Sequence, residues 1–246
     1  MDKLLYIAMS GAKESLRAQT AVSHNLANAT TTAFKADLNA FMARDIAGPG
    51  YHSRAYATTS TTGWNLDAGA LEATGRDLDV AINGSGWIAV QAQDGSEAYT
   101  RAGDLRIQAS GLLTNGAGHV ILGDGGPITI PPSSSLLIGR DGTISAVALG
   151  QSPQSAAPVA RIKLVDPPPD TLQRGADGLF RMRDGSTAEA SASVAVSSGA
   201  LETSNVNTAQ ALVDMIEISR RYDLQVRMIR NAEENATSSA RLLQMG

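Results

Sequence analysis

Apolar side chains recur at helical spacing at both ends of this chain, over residues 3–28 and 207–245. The first segment carries two adjacent apolar stripes, and the second follows an unbroken alternation of three and four residues. This spacing predicts an amphipathic helix in each segment, and its persistence over several heptads is typical of coiled coils. We therefore expect the two terminal helices to pair as a coiled-coil-like unit.

The stripes define the positions that we expect to contact other helices. They mix large apolar side chains with alanine, serine and glycine, which allow a neighbouring helix to approach closely. In the first helix the positions are Leu5, Met9, Ala12, Leu16 and Leu26, with Leu4, Ala8, Gly11, Ala18 and Val22 on the adjacent stripe. In the second helix they are Leu212, Met215, Ser219, Tyr222, Val226, Ile229, Glu233, Ala236, Ala240 and Leu243.

Polar residues mark the helix ends. Asp2 is suited to cap the first helix, and Asn207 with Gln210 three residues later resembles a capping box for the second. After the first helix, residues 36–56 are ambiguous and allow a helical extension up to Ile46. Residues 58–62 are interpreted as a polar linker or an exposed strand.

The middle of the chain has a different pattern, with short β-branched and apolar runs separated by Asn-Gly and Asp-Gly turns. The fold class predicted is α+β, with a mainly antiparallel central domain built as a sandwich or irregular barrel. The domains predicted are 1–30 with 205–246, a linker over 31–65, and a β-rich domain over 66–204. The predicted strands are 78–82, 87–91, 98–101, 105–107, 119–122, 128–130, 143–147 and 160–165.

Two similar six-residue segments flank this middle region. Residues 69–74 (GALEAT) resemble residues 199–204 (GALETS). Their placement indicates that both mark where the chain enters and leaves the β-rich domain.

Composition limits the classes of function. The formal net charge of −4 argues against nucleic acid as a main partner, because phosphate binding requires a basic face. The absence of cysteine excludes disulfides, zinc ribbons and thiol nucleophiles. The longest apolar runs are too short for a transmembrane segment. The apolar stretch at the start of the sequence is short, and Asp2 precedes Lys3, the single lysine before that stretch. No cleaved signal peptide is therefore predicted.

Candidate chemistry is sparse. His24, His52 and His119 lack the spacing of a metal site, so local hydrogen bonding is the favoured interpretation. Residues 84–86 (GSG) lie between two predicted strands and are interpreted as a hairpin turn rather than a phosphate-binding loop. We predict no catalytic, cofactor-binding or metal-binding residues and no small-molecule substrate. Two other classes remain open: an exported carbohydrate-binding or adhesive β module with a coiled-coil stalk, and a periplasmic hydrolase.

Four ordered blocks resemble bacterial flagellar rod and hook proteins. Block one, residues 25–35 (NLANATTTAFK), is similar to the family's N-terminal signature, although the family usually has glycine where Ala33 stands. The others are residues 74–87 (TGRDLDVAINGSGW), residues 99–104 (YTRAGD), and residues 204–207 (SNVN) followed by 212–216 and 221–222. The opening most resembles that of proximal rod proteins, with distal rod and hook-type proteins as the alternative.

The resemblance implies a structural protein rather than an enzyme. It implies a subunit of the basal-body rod in the periplasm, exported without signal cleavage, whose terminal helices form an inner tube and whose β domain faces outward. The implied partners are copies of itself, the proximal and distal rod subunits, and the flagellar export apparatus. It adds Asn25, Asn28, Phe34, Asn205 and Asn207 to the stripe positions as assembly residues.

We also expect the terminal helices to be weakly ordered before assembly. Polar and small residues on their stripes bury too little apolar area in one chain to offset the entropy of ordering.

Overall fold

The computed structural model describes residues 4–45, 55–152 and 155–244, and these divide into two compact units. The terminal unit contains the described residues of 1–29, 35–65 and 206–246. The β unit contains residues 30–34 and 66–205.

The terminal unit has two long helices and a two-stranded antiparallel sheet. Its elements are α1 (Leu4–Ala27), β1 (Asp37–Asp45), β2 (Ala55–Trp64) and α2 (Thr208–Gln244). The two helices pack against each other, and α1 also packs against β1 and β2. The predicted pairing of the terminal helices is confirmed.

A helical extension after α1 is wrong, because residues 37–45 are extended and pair with β2. The side chain of Asn25 sets this conformation. Its Oδ1 accepts a hydrogen bond from the backbone N–H of Asp37 at 2.8 Å, and its Nδ2 donates to the Asp37 carbonyl at 3.0 Å. The Asn25 amide thus satisfies both backbone groups of Asp37, as a neighbouring strand would. Ile46 itself lies outside the described residues.

The β unit is built from short strands, and each pairing between them is antiparallel. The strands are β3 (Leu71–Ala73), β4 (Val80–Asn83), β5 (Trp87–Gln91), β6 (Glu97–Thr100), β7 (Leu105–Ile107), β8 (Leu113–Asn115), β9 (Val120–Gly123), β10 (Gly126–Pro127), β11 (Ser133–Ile138), β12 (Thr143–Ala148), β13 (Ala157–Arg161), β14 (Leu164–Val165), β15 (Leu172–Arg174), β16 (Phe180–Met182), β17 (Ala195–Ser198) and β18 (Ala200–Glu202).

One nine-stranded sheet forms the centre of the unit. Its order is β15-β16-β6-β5-β9-β8-β7, with β10 beside β9 and β14 beside β5. Smaller sheets are β11-β12-β13, β4 with β17, and β3 with β18. Aliphatic side chains such as Ile88, Val90, Leu105 and Ile121 are fully buried between them. The α+β class with an antiparallel β centre is therefore confirmed.

Most strand predictions hold, and the two misplaced ones have a common cause. Residues 128–130 form only an isolated bridge, and residues 160–165 divide between β13 and β14. Both runs alternate buried apolar side chains, such as Ile128 and Ile162, with exposed polar ones, such as Thr129 and Arg161. Alternation of this kind does not fix the strand partner: β13 pairs with β12, whereas β14 pairs with β5.

The interpretation of residues 84–86 as a hairpin turn is wrong. The preceding β4 pairs with β17, and the following β5 pairs with β6, β9 and β14, so these residues form a corner between sheets. Gly86 has φ +119°, and a Cβ there would lie 2.6 Å from a methyl group of Val194. Glycine is required at this corner for both reasons.

The two similar segments, residues 69–74 and 199–204, pair with each other. Ala73 lies opposite Ala200 and Leu71 opposite Glu202 in the β3–β18 ladder. Backbone N–H groups of Thr74 and Thr203 extend the ladder, donating to the carbonyls of Gly199 and Ala70 at 2.8 Å each. The two segments thus close the β unit where the chain enters and leaves it.

Ala33 occupies a backbone conformation that favours glycine. Its φ is +55°, and its N–H donates to the Glu202 carbonyl at 2.8 Å. The turn before Phe34 therefore keeps the left-handed geometry, although this chain has alanine where the resembling family has glycine. A left-handed L-residue costs about 1–2 kcal/mol.

Replacement of Ala33 by glycine is expected to stabilise the β unit by about 0.5–1 kcal/mol. The strain relieved exceeds the roughly 0.4–1 kcal/mol lost through a more flexible unfolded chain. The measurement is denaturant unfolding followed by the fluorescence of Trp87 in a Trp64→Phe background. Ala73→Gly in strand β3, where φ is ordinary, is the matched control and should destabilise; a gain there equal to that of Ala33→Gly would contradict the strain argument.

Tyr99 on β6 links its own strand to the loop that contains Ala188 through a buried hydroxyl. It donates to the Glu97 carboxylate at 3.0 Å and accepts from the Ala188 N–H at 2.6 Å. Burial raises the pKa of Tyr99 to about 12. An ordinary tyrosine in the unfolded chain has a pKa of about 10.

The free energy of unfolding of the β unit is expected to fall as pH rises from about 10 to about 12. The neutral phenol is favoured by the fold, so its contribution is complete below the unfolded pKa and is lost on deprotonation of the folded form. Tyrosinate absorbance should show a component titrating near pH 12 that vanishes in Tyr99→Phe. If Tyr222→Phe removes that component instead, the assignment is incorrect.

Candidate assembly surface

The seam between α1 and α2 is lined by small side chains. The buried residues of α1 include Ala8, Gly11, Ser15 and Ala18, spaced by three and four residues. At Gly11 a Cβ would lie 2.6 Å from Nε2 of Gln225, so the helices are close there. Small residues therefore set the separation of the helices.

On α2 the seam lies one residue earlier than the sequence pattern placed it. Ala211, Ile218 and Ala232 are buried, whereas their neighbours Leu212, Ser219 and Glu233 are exposed. Ala236 and Ala240 of the predicted stripe are exposed too, and four of its larger members lie closer to the seam. Met215, Tyr222, Val226 and Ile229 are all half-buried. The apolar face of α2 is wide, and its more alanine-rich edge is the one buried.

Both helices carry a second apolar face that is exposed. On α2 this outward face consists of Leu212, Val213, Ile216, Leu224 and Met228, and Ile216 and Leu224 are 55% and 59% exposed. At 3.6 residues per turn, Leu212, Val213, Ile216 and Leu224 lie on the side of α2 that faces away from the buried edge formed by Ala211, Ile218 and Ala232. Met228 lies at the margin of that side, one turn before Ala232. On α1 the exposed apolar residues are Tyr6, Met9 and Leu16, which point away from Gly11 and Ser15.

Such a face is unusual for a surface helix. Single exposed apolar residues are common, but several on one face of one helix indicate a protein-binding surface. Sequence reasoning found Met9, Leu16 and Leu212 but missed Val213, Ile216, Leu224 and Met228. A search for a second stripe at positions 213, 216, 224 and 228, which Arg220 interrupts, would have revealed them.

Three of the asparagines assigned to assembly have roles within the terminal unit. Asn25 holds Asp37, as described above. Asn28 Nδ2 donates to the carbonyl of His24 at 2.9 Å near the end of α1. Asn207 Oδ1 accepts the N–H of Gln210 at 3.1 Å, which is the N-cap bond expected. The reciprocal bond of a capping box is replaced, because Gln210 Nε2 donates to Asp214 at 2.8 Å.

Phe34 and Asn205 have roles within the β unit. Phe34 is buried, and the Arg174 guanidinium lies 4.7 Å from the centre of its ring. Asn205 Nδ2 donates to the carbonyl of Asp67 at 2.9 Å. Any effect of these two residues on assembly is thus expected to pass through the fold. Among the other predicted assembly positions, Leu5 and Leu26 are half-buried, Ala12 is buried, and the side chain of Leu243 lies outside the described residues.

Sites for other chemistry were also searched within the described ranges. There, no three histidine, aspartate or glutamate side chains lie together as metal ligands. In the same ranges, neither helix combines the length and hydropathy needed to cross a bilayer.

Comparison with known proteins gives matches along the chain. Residues 81–146 match the model for the flagellar hook protein FlgE/F/G D1 domain, and residues 197–242 match that for the flagellar basal body rod FlgEFG protein C-terminal region. The flagellar basal-body rod proteins FlgF of Salmonella typhimurium and Escherichia coli are 42% and 41% identical, each over 100% of both chains. The rod protein FlgG of Buchnera aphidicola from Schizaphis graminum is 31% identical over 94% of this chain and 95% of its own. With helices at both termini around an antiparallel β unit and full-length identity above 40% to these FlgF proteins, this chain belongs to the flagellar basal-body rod protein family.

Proposed function

We propose that this chain is a structural subunit of the proximal flagellar rod, and that it assembles through the outward faces of α1 and α2 to transmit torque. The observation that carries the proposal is the second apolar face on each terminal helix. One face of each helix is buried in the chain itself, and the other is available to a neighbouring subunit.

The geometry of such contacts suits a filament. A head-to-tail contact between different faces of two copies does not close on itself and generates a helical array. A helix with apolar residues on two opposite sides contacts partners on both sides, so each subunit is held by several neighbours. Interlocking of this kind resists rotation of one subunit against the next, which a drive shaft requires.

The proposal extends to partners and location. The partners are copies of this chain, other proximal and distal rod subunits, and the flagellar export apparatus, and the location is the periplasmic part of the basal body. Export without a cleaved signal peptide is part of the proposal, and its support is the resemblance to the rod protein family. The proposed role is structural rather than catalytic.

The carbohydrate-binding alternative required an exposed aromatic platform. Trp87 is buried and lies 4.5 Å from the ring of Phe180, measured between centroids. Trp64 is half-buried. Neither tryptophan is exposed in the way that an aromatic binding platform requires. The assembly function is therefore the better supported of the two.

Leu224→Asp is expected to block rod assembly while leaving the isolated protein folded. Leu224 is exposed, so the charge costs little in the monomer, but it would be buried against a neighbouring subunit. The measurement is restoration of hook-basal bodies in cells that lack the native protein, with thermal unfolding of the purified variant alongside.

Asn231→Asp is the matched control, since it adds the same charge at a position of α2 that is already polar and exposed. Ile218→Asp is the opposite case: it buries a carboxylate in the seam and should cost about 3 kcal/mol or more of helix pairing. Normal assembly by Leu224→Asp would exclude the outward face as the contact surface.

Amides of α1 and α2 are expected to exchange hydrogen much faster in the isolated chain than those of β5 and β9. The seam buries mainly alanine, glycine and serine, and at about 25 cal/mol per Å² these contribute little stability. Exchange of the purified monomer, followed residue by residue, provides the measurement. Strong protection of residues 5–25 and 212–240 would show that the helices are ordered before assembly.

A further inference from the structure

Three chain segments meet where the backbone enters and leaves the β unit. We call them the neck: residues 33–34, residues 67–70 and residues 202–205. The Asn205 N–H donates to the Phe34 carbonyl at 3.2 Å, and the Thr203 N–H donates to the Ala70 carbonyl at 2.8 Å. A Cβ at Gly69 would lie 2.0 Å from the Thr203 carbonyl oxygen, so these segments are in direct backbone contact.

Glu202 forms hydrogen bonds to both other segments of the neck and to Arg101. Its backbone carbonyl accepts the Ala33 N–H at 2.8 Å. Its Oε1 accepts the Gly69 N–H at 2.9 Å, and its Oε2 accepts Nη1 of Arg101 at 3.0 Å. The carboxylate is fully buried, as is nearly all of the Arg101 side chain.

Arg101 continues the connection into the large sheet. Its Nε donates to the Gly86 carbonyl at 3.0 Å, and a second nitrogen, Nη2, donates to the Gly84 carbonyl. The guanidinium lies 5.6 Å from the ring centre of Trp87, the first residue of the central strand β5. One buried ion pair therefore joins the neck to the corner at residues 84–86 and to the middle of the sheet.

We propose that Glu202 is a positioning residue that makes the neck rigid. Mechanical force that reaches the β unit along the chain is then transmitted to the sheet with little local deformation of the neck. This inference depends on the proposed function as a rod subunit. Every covalent path into the β unit runs through residues next to the neck. A neck held only by backbone hydrogen bonds near solvent would open locally, whereas a buried ion pair with all its partners satisfied resists opening.

Glu202→Gln tests the clamp directly, because it keeps an acceptor for Gly69 but removes the charge that pairs with Arg101. Amide exchange of Ala33, Gly69, Thr203 and Asn205, measured by NMR, should accelerate about a hundredfold. Exchange at Val90 and Ile121 in the core should change much less. Equal acceleration of neck and core amides would mean general destabilisation and would overturn the proposal.

Lys163→Met is the matched control within the same unit. Lys163 pairs with both oxygens of Glu97 at 2.8 and 2.9 Å and is mostly buried, but it makes no hydrogen bond to the neck among the described contacts. It should leave the neck amides unchanged. If Glu202→Gln does not fold, Asn205→Ala supplies the test. It removes the side-chain bond to Asp67 at the rim of the neck. The backbone amide of residue 205 should then exchange at least several-fold faster in the monomer than it does in the unmodified chain.

The mechanical role has a separate readout in cells. Cells carrying Glu202→Gln should assemble rods and swim in dilute medium, but lose rotation speed under viscous load relative to the Lys163→Met control. Unchanged speed under load in a variant with a loosened neck would overturn the proposal. Failure of the unmodified chain to restore rods would instead count against the proposed function, so the two failures are distinguishable.

Discussion

The close approach of α1 and α2 is the constraint on which the terminal unit depends. Glycine at position 11 leaves room for the end of Gln225, and alanines at positions 8, 18, 211 and 232 occupy the rest of the seam. Small side chains bring two backbones together but bury little apolar area. The larger side chains of both helices consequently remain on the outside, where they are available to another subunit. Under the proposed function, these exposed side chains form the contacts between subunits.

The core of the β unit, in contrast to the helix seam, is formed mainly by large aliphatic side chains. Aliphatic side chains such as Ile88, Val90, Leu105 and Ile121 fill its core, whereas Leu137 and Leu149 are exposed. Its two central charged residues, Arg101 and Glu202, satisfy each other and nearby backbone groups. Among the described residues, this unit exposes fewer large apolar side chains than the two helices do. Under the proposed function, the helices supply the contacts between subunits and the sheet supplies the rigid shape.

The sequence predicted this division because the two periodicities are distinct, but it left the register of α2 open. Ala211 and Leu212 are adjacent and both apolar, so spacing alone cannot decide which of them faces α1. Similarly, residues 84–86 have the composition of a hairpin turn, and only the pairing of β4 with β17 shows that they form a corner. The clamp at Glu202 gave no local signal, because its partners lie 101 and 133 residues away along the chain. Pairing over such separations is a property of the fold and is not written in any short motif.

The blocks that carry the family resemblance converge within the β unit. Ala33 and Phe34 come from the first block, the corner at Gly84 and Gly86 from the second, and Arg101 from the third. The last block begins two residues after Glu202 and includes Asn205, which bonds to Phe34. The four blocks thus supply part of the neck and its connection to the sheet, whereas Gly69 and Glu202 lie outside them. A rod subunit can vary the apolar residues that contact its neighbours, since many side chains fill a helix interface, but the neck has few alternatives. Left-handed backbone at Ala33, direct backbone contact at Gly69 and a buried charge pair each admit very few residue types.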